Sequence, residues 1–331
     1  MTLPRIAGYT AFILRVLPCS MRKGPMSVNA TTLFDAGQTA GLLDFSHLVE
    51  ALKTAAIDYG RGLIIAPERQ VVPFPRGGLM LSMPATADDI GIHKLVNVTP
   101  SNRALNLPTI NGLVSAYNGK TGQELFVLDG PAVTARRTAA ISMLALKTFL
   151  DRAPARIALI GTGKQASGHA QAIAALFPGI ALLVAGRSLD SAGAFVRAHE
   201  NLDLRFTPGI VSSIPQDVDA VITATSSKTP VYGEPARAGR LVIGVGAFEA
   251  DSAEIAAETV LGSQIYVDDP AGARHEAGDL ILAQAAWNRV MPLSEALLNG
   301  VDFGRALLFK SVGCAAWDLA AARCAQAALG L

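Results

Sequence analysis

The chain has 331 residues, half of them hydrophobic and only 17% charged, which excludes a disordered polypeptide and, at about 150 residues per domain, points to two domains with a real core. Its 28 basic and 27 acidic residues leave a net charge of +1 with no Lys/Arg-rich run, which argues against nucleic acid or a membrane surface as partner. Three cysteines, Cys19, Cys314 and Cys324, form no C-x-x-C pair, so no disulfide framework is expected and a cytoplasmic setting is.

Residues 1–26 carry Arg5, a short apolar stretch, Arg15, Cys19 and Ser20. A secretory signal needs an unbroken apolar core, and Arg15 interrupts it. The segment is read as an extension outside the functional argument, with Met21 and Met26 as alternative starts. From Asp44 to Tyr59, Leu48, Leu52, Ala55, Ala56 and Tyr59 keep the helical period. Residues 69–83 read as short strands broken by Pro73, Pro75 and Gly77-Gly78. Lys94–Thr99, Gly112–Tyr117 and Glu124–Leu128 continue the strands, with a hairpin turn at Asn118-Gly119. Ala135–Leu150 has helical composition.

From Arg156 onward strands alternate with helices. The strands are Ile157–Ile160, Ile180–Ala185, Ala220–Thr223, Leu241–Gly244 and Gln264–Val267; the helices include Gln165–Leu176 and Ser191–Glu200. That alternation predicts an α/β fold, a Rossmann-type doubly wound parallel sheet, preceded by a second α+β region. The tail after Phe303 reads as helical, with Leu319, Ala322, Ala325 and Leu329 in one stripe.

The strand Ile157–Ile160 runs into Gly161-Thr-Gly-Lys-Gln-Ala166. Gly161 permits a tight strand-to-helix turn, Gly163 lets a pyrophosphate approach the backbone, and Ala166 lets the helix pack closely. A strand before it and a helix after it make this a dinucleotide site rather than a chance glycine pair. The next strand ends at Arg187-Ser188, where an NAD site usually carries a carboxylate. A guanidinium and a hydroxyl suit a 2′-phosphate, so NADP(H) is favoured over NAD(H). In the first half, Arg69, Lys94 and the pair Arg136-Arg137 stand in segments low in other charges. Lys94 lies among strand residues and is costly to bury without an anion. These cations point to a pocket for a small carboxylate. The five histidines show no metal-ligand spacing, so no metal is expected.

At these residues the chain resembles the ornithine cyclodeaminase/mu-crystallin family. The matching segments are Pro67–Gln70, Lys94–Asn102, Leu128–Ala140, Gly161–Ala166, Gly244–Phe248 and Phe309–Gly313, in the family's order. The resemblance implies a homodimer and two domains: a substrate/dimerisation domain of residues 27–135 with 306–331, and a Rossmann domain of residues 136–305. It places Arg69, Lys94 and Arg137 at the substrate carboxylate, with Lys94 also beside the reacting carbon as the catalytic group. On the cofactor side it places Arg137, Thr138, Gly161, Gly163, Lys164, Gln165, Thr225, Val245 and Ser311, joined by Arg187 and Ser188.

One departure bears on the activity. Deaminating members resemble one another in carrying Asp where this chain has Phe248, and Lys where it has Ser252. Phenylalanine neither accepts a proton nor pairs with an ammonium. A shifted alignment, with Glu249 or Asp251 supplying the carboxylate, is the alternative. The resemblance thus implies NAD(P)H-dependent reduction of a cyclic ketimine carboxylate, Δ1-pyrroline-2-carboxylate or Δ1-piperideine-2-carboxylate, to proline or pipecolate. Ornithine cyclodeaminase or a related amino-acid dehydrogenase is the second reading. A non-catalytic NADP(H)-binding protein is the third.

Overall fold

The computed structural model describes residues 31–212 and 214–331; the expectation for residues 1–26 lies outside them. Fourteen strands are described: β1 (Thr32–Leu33), β2 (Gln70–Pro73), β3 (Leu79–Thr86), β4 (Ile90–Val98), β5 (Ile110–Asn118), β6 (Glu124–Asp129), β7 (Arg156–Ile160), β8 (Ala181–Gly186), β9 (Arg205–Ile210), β10 (Ala220–Thr223), β11 (Leu241–Gly244), β12 (Gln264–Val267), β13 (Met291–Pro292) and β14 (Leu307–Lys310). The helices are α1 (Ala36–Leu42), α2 (Phe45–Gly60), α3 (Gly130–Phe149), α4 (Lys164–Leu176), α5 (Leu189–Ala198), α6 (Ala257–Leu261), α7 (Pro270–Glu276), α8 (Gly278–Leu282), α9 (Leu293–Asn299) and α10 (Ala315–Leu329).

They form two sheets. The first has the order β1-β6-β5-β4-β3-β2 and is antiparallel except for the β1–β6 pair. The second runs β13-β12-β14-β11-β10-β7-β8-β9 with every pairing parallel. The expected α/β class, a doubly wound parallel sheet with a second α+β region, is what the chain adopts. Alternate residues of the parallel strands enter different cores. Ile157, Leu159 and Phe309 join the core that includes Phe126 and Leu128 of the first sheet, while Ala158, Ile160 and Leu308 line the opposite face. Helix α3 is buried along Ala139–Leu146, as expected for a helix with packing on every side.

Several boundaries differ from expectation for identifiable reasons. Helix α3 begins at Gly130, not Ala135, because Asp129 Oδ1 accepts from Ala132 N at 2.8 Å and Pro131 fits the first turn. It therefore runs through the expected 135/136 domain boundary. The tail after Phe303 is not helical throughout: Leu307–Lys310 is β14, between β11 and β12 in the parallel sheet, and only Ala315–Leu329 is helix. A four-residue strand buried on both faces, with Leu307, Leu308 and Phe309 in succession, has no periodicity to distinguish it from helix. Residues 307–310 thus depart from the expected grouping of 306–331 with the first region. Strand β9 escaped notice because Pro208 and Gly209 weaken its pattern, and an edge strand tolerates both.

Candidate active site

The strand order of the parallel sheet reverses between β7 and β10, where α/β sheets bind their ligands. The glycine turn lies there. Gly161 has φ +129°, and a Cβ on it would stand 2.5 Å from the Ala224 carbonyl oxygen, so the position requires glycine. A Cβ on Gly163 would meet nothing within 4 Å. Gly163 caps α4 without a side chain, leaving the first N–H groups and the positive dipole end of α4 beside open space. Lys164 is exposed there, and Gln165 Oε1 is buried with no hydrogen-bond partner. This cradle fits a pyrophosphate.

Gly161 N donates to Ala185 O at 2.9 Å, which brings the end of β8 alongside the turn. Arg187 and Ser188 follow, both exposed. Ser188 Oγ caps α5 by accepting from Ser191 N at 3.2 Å, so its own proton remains for a ligand. Other residues assigned to the cofactor from sequence have internal settings. Thr225 donates its N–H and its hydroxyl to Glu254 Oε1 at 2.6 and 2.7 Å. Ser311 Oγ donates to Asp268 Oδ2 at 2.7 Å. Thr138 and Val245 are buried.

Three buried carboxylates, none singled out as functional from sequence, shape these loops. Glu254 also accepts from Gly246 N and Ala247 N, tying the loop after β11 to the loop after β10. Asp279 accepts from Glu254 N and Ile255 N and lies 2.7 Å from Lys310 Nζ. Asp268 accepts from Val312 N, Gly313 N and Trp317 Nε1, anchoring the turn into α10. Its neighbour Asp269 caps α7 through Ala271 N.

The three predicted cations converge around Gly313 and α10. Lys94 is on the inner face of β4 with Ile92 and Val96, 2% exposed, and its Nζ donates to Asp318 Oδ1 at 2.9 Å. Arg137 Nε lies 3.6 Å from the same oxygen, and its guanidinium fills the space a Cβ on Gly313 would take. Arg69 donates to Gly313 O at 2.7 Å and pairs with Glu276 Oε2 at 2.8 Å. Burial pushes the Lys94 pKa down to about 8; Asp318 opposes that shift, while Arg137 and Arg69 add to it. Burial raises the Glu276 carboxyl above its ordinary range, with Arg69 opposing. Arg136, the fourth cation of the sequence reading, is elsewhere, over the Phe45 ring and bound to Leu43 O.

Asp318 and Glu276 are the residues that sequence reasoning missed here. Asp318 is the only charge between Lys310 and Arg323, the same signal that drew attention to Lys94. Phe248 is 54% exposed. Glu249 and Asp251 are turned to Lys228, at 3.9 and 2.7 Å from its Nζ. Among the described residues no group of three or more His, Cys, Asp or Glu could hold a metal ion, and no helix is long and apolar enough to cross a membrane.

Comparison with known proteins extends this picture. The chain is 56% identical over 297 residues to the Delta(1)-pyrroline-2-carboxylate/Delta(1)-piperideine-2-carboxylate reductase of Azospirillum brasilense, covering 90% of this chain and 96% of that protein. It is 55% identical over 296 residues to Delta(1)-pyrroline-2-carboxylate reductase 2 of Burkholderia ambifaria, covering 89% and 95%. The fold is shared with Thermococcus litoralis Delta(1)-pyrroline-2-carboxylate reductase, solved in complex with NADH and L-proline, with a TM-score of 0.79, 24% identity and coverage of 90% and 97%. A family model matches residues 31–328. With a glycine cradle at the sheet's switch point and a cluster of cations beside α10, the chain belongs to the ornithine cyclodeaminase/mu-crystallin family.

Proposed function

We propose that this protein is an oxidoreductase that reduces a cyclic ketimine carboxylate, Δ1-pyrroline-2-carboxylate or its six-membered homologue, to proline or pipecolate with NADPH. The observation that carries the reading is the charge arrangement around Gly313. Arg69 and Arg137 bring two guanidinium groups beside the buried ammonium of Lys94, held by the Glu276 and Asp318 carboxylates, and this donor set suits one small substrate carboxylate. No deaminating acid stands at Phe248, and Glu249 and Asp251 are engaged with Lys228. The reductase names of relatives more than 50% identical to this chain support the same chemistry.

Arg69 and Arg137 bind the substrate carboxylate and fix the ring, lowering the barrier by orientation. Lys94, buried and charged, supplies the proton at the imine nitrogen, directly or through a water. When bound, the reduced nicotinamide supplies a hydride, one hydrogen with its electron pair, to C2 of the imine. Together the two transfers turn the C=N bond into CH–NH. Gly161, Gly163, Lys164 and Gln165 hold the pyrophosphate, and Thr138, Thr225, Val245 and Ser311 shape the rest of the cofactor groove. Arg187 and Ser188 favour the 2′-phosphate of NADPH over the bare ribose of NADH. The first sheet with α10 forms the substrate part and the parallel sheet the dinucleotide part. Exposed Val71, Val72, Leu79, Ile110 and Leu113 on the first sheet supply an apolar surface for a homodimer, and the enzyme is cytoplasmic.

Incubation with NADPH and Δ1-pyrroline-2-carboxylate is expected to consume nicotinamide absorbance and form proline. Ammonia released from ornithine with catalytic NAD⁺ would instead make the chain a cyclodeaminase. Tight NADPH binding with no turnover across a ketimine panel would make it a binding protein.

A further inference from the structure

Helix α10 carries one charged side chain into the cluster of cations. Asp318 is fully buried, and its Oδ1 lies 2.9 Å from Lys94 Nζ and 3.6 Å from Arg137 Nε. Its Oδ2 is also buried and has no hydrogen-bond partner. No backbone N–H or hydroxyl draws on this carboxylate, unlike Asp268, Glu254 and Asp279. Its charge is directed at the two cations. A buried ion pair is poor evidence for a stabilising role, because apolar residues of equal volume stabilise as well or better. Keeping an aspartate here, in an alanine-rich helix, is explained by what it does to Lys94.

We infer that Asp318 is the positioning residue for Lys94, holding its ammonium in place and charged beside the substrate. The inference rests on the reductase reading for what Lys94 does, and on geometry alone for how it is held. The charged groups facing Lys94 are Asp318 from α10, Arg137 from α3 and Arg69 from the segment before β2. Two of the three repel its proton, and burial works in the same direction. Asp318 is the one group that retains it. Without this carboxylate, Lys94 loses its proton at a lower pH, and the imine nitrogen then loses its proton source.

The test is the pH profile of kcat/KM for the ketimine in wild type and D318N at saturating NADPH. Wild-type activity is expected to fall on the basic side near pH 8. In D318N that limb moves to lower pH by about one to three pH units, with activity recovering as the pH is lowered. NADPH affinity, read by nicotinamide fluorescence, stays within about twofold, because Asp318 stands apart from the glycine turn. In kcat/KM the free substrate's imine ionises identically for both proteins, so only an enzyme group can move the limb. A uniform loss of kcat/KM with an unmoved limb would assign Asp318 a structural role and overturn the inference.

If D318N does not fold, the wild-type chain labelled with carbon-13 at its aspartate carboxyls decides the matter. One buried aspartate resonance must then titrate with a midpoint near 8, and that inflection must vanish in K94M. A resonance static across that range would equally overturn it. Because this readout needs no turnover, an absence of ketimine reduction would count against the reductase reading and not against the Lys94–Asp318 pair.

Discussion

The turn at residues 161–166 and the cluster around Gly313 meet different physical demands. The turn is made of consecutive residues and works through backbone: two glycines, a bare helix N-terminus and one strand end. The cluster draws Arg69, Lys94, Arg137 and Asp318 from four distant parts of the chain and works through buried charge. Backbone cradles are set by local conformation and tolerate solvent. Buried ammonium and guanidinium groups need partners brought in by the fold, since an unpaired buried charge is very costly. Nicotinamide enzymes with one kind of cradle can therefore serve different substrates, because the charge cluster is a separate construction.

That separation can be broken by experiment. The largest effect is expected from Lys94→Met, which should lower kcat by about a thousandfold or more while NADPH still binds nearly as in wild type. Single-turnover kinetics with a fluorescence titration would check both halves, and retained turnover would remove Lys94 from the mechanism.

A second test addresses the joint between the two regions. His169 on α4 is fully buried, hydrogen-bonded to Ser142 Oγ on α3 at 2.9 Å, and burial pushes its pKa from 6.5 down to about 4. The folded protein thus resists protonation that the unfolded chain accepts. Stability from this residue is complete above about pH 6.5 and drains away as the pH falls towards 4, by up to about 3 kcal/mol. Urea unfolding at intervals from pH 7 to pH 4 should show His169→Gln with a shallower loss than wild type. Parallel curves would mean that His169 is not held neutral.

The smallest effect concerns cofactor choice. Arg187 is exposed, so Arg187→Glu should weaken NADPH relative to NADH by about tenfold, as expected for loss of a charge-assisted contact at a solvated site. Equal KM changes for the two cofactors would show that the end of β8 does not read the 2′-phosphate.

Much of this is legible in the sequence alone. The glycine turn was legible because its signal is contiguous, and Lys94 because a lone cation in an apolar strand is anomalous. The same anomaly marks Asp318, but its significance depends on a partner 224 positions away. Glu276 was not legible at all: its short helix gives no reason to meet Arg69. Ser311 and Thr225 lie in segments that the family resemblance assigns to the cofactor, and only the fold shows that Asp268 and Glu254 hold their hydroxyls.

The sequence by itself determined the alternation of strands and helices, the glycine turn and the three cations, because each is encoded in a short window of residue types and spacings. Only the tertiary structure decided that β14 enters the middle of the parallel sheet and that α10 then carries Asp318 to Lys94. Those outcomes depend on which apolar faces find one another across the chain, and on the rule that a charge taken out of water must end beside its opposite.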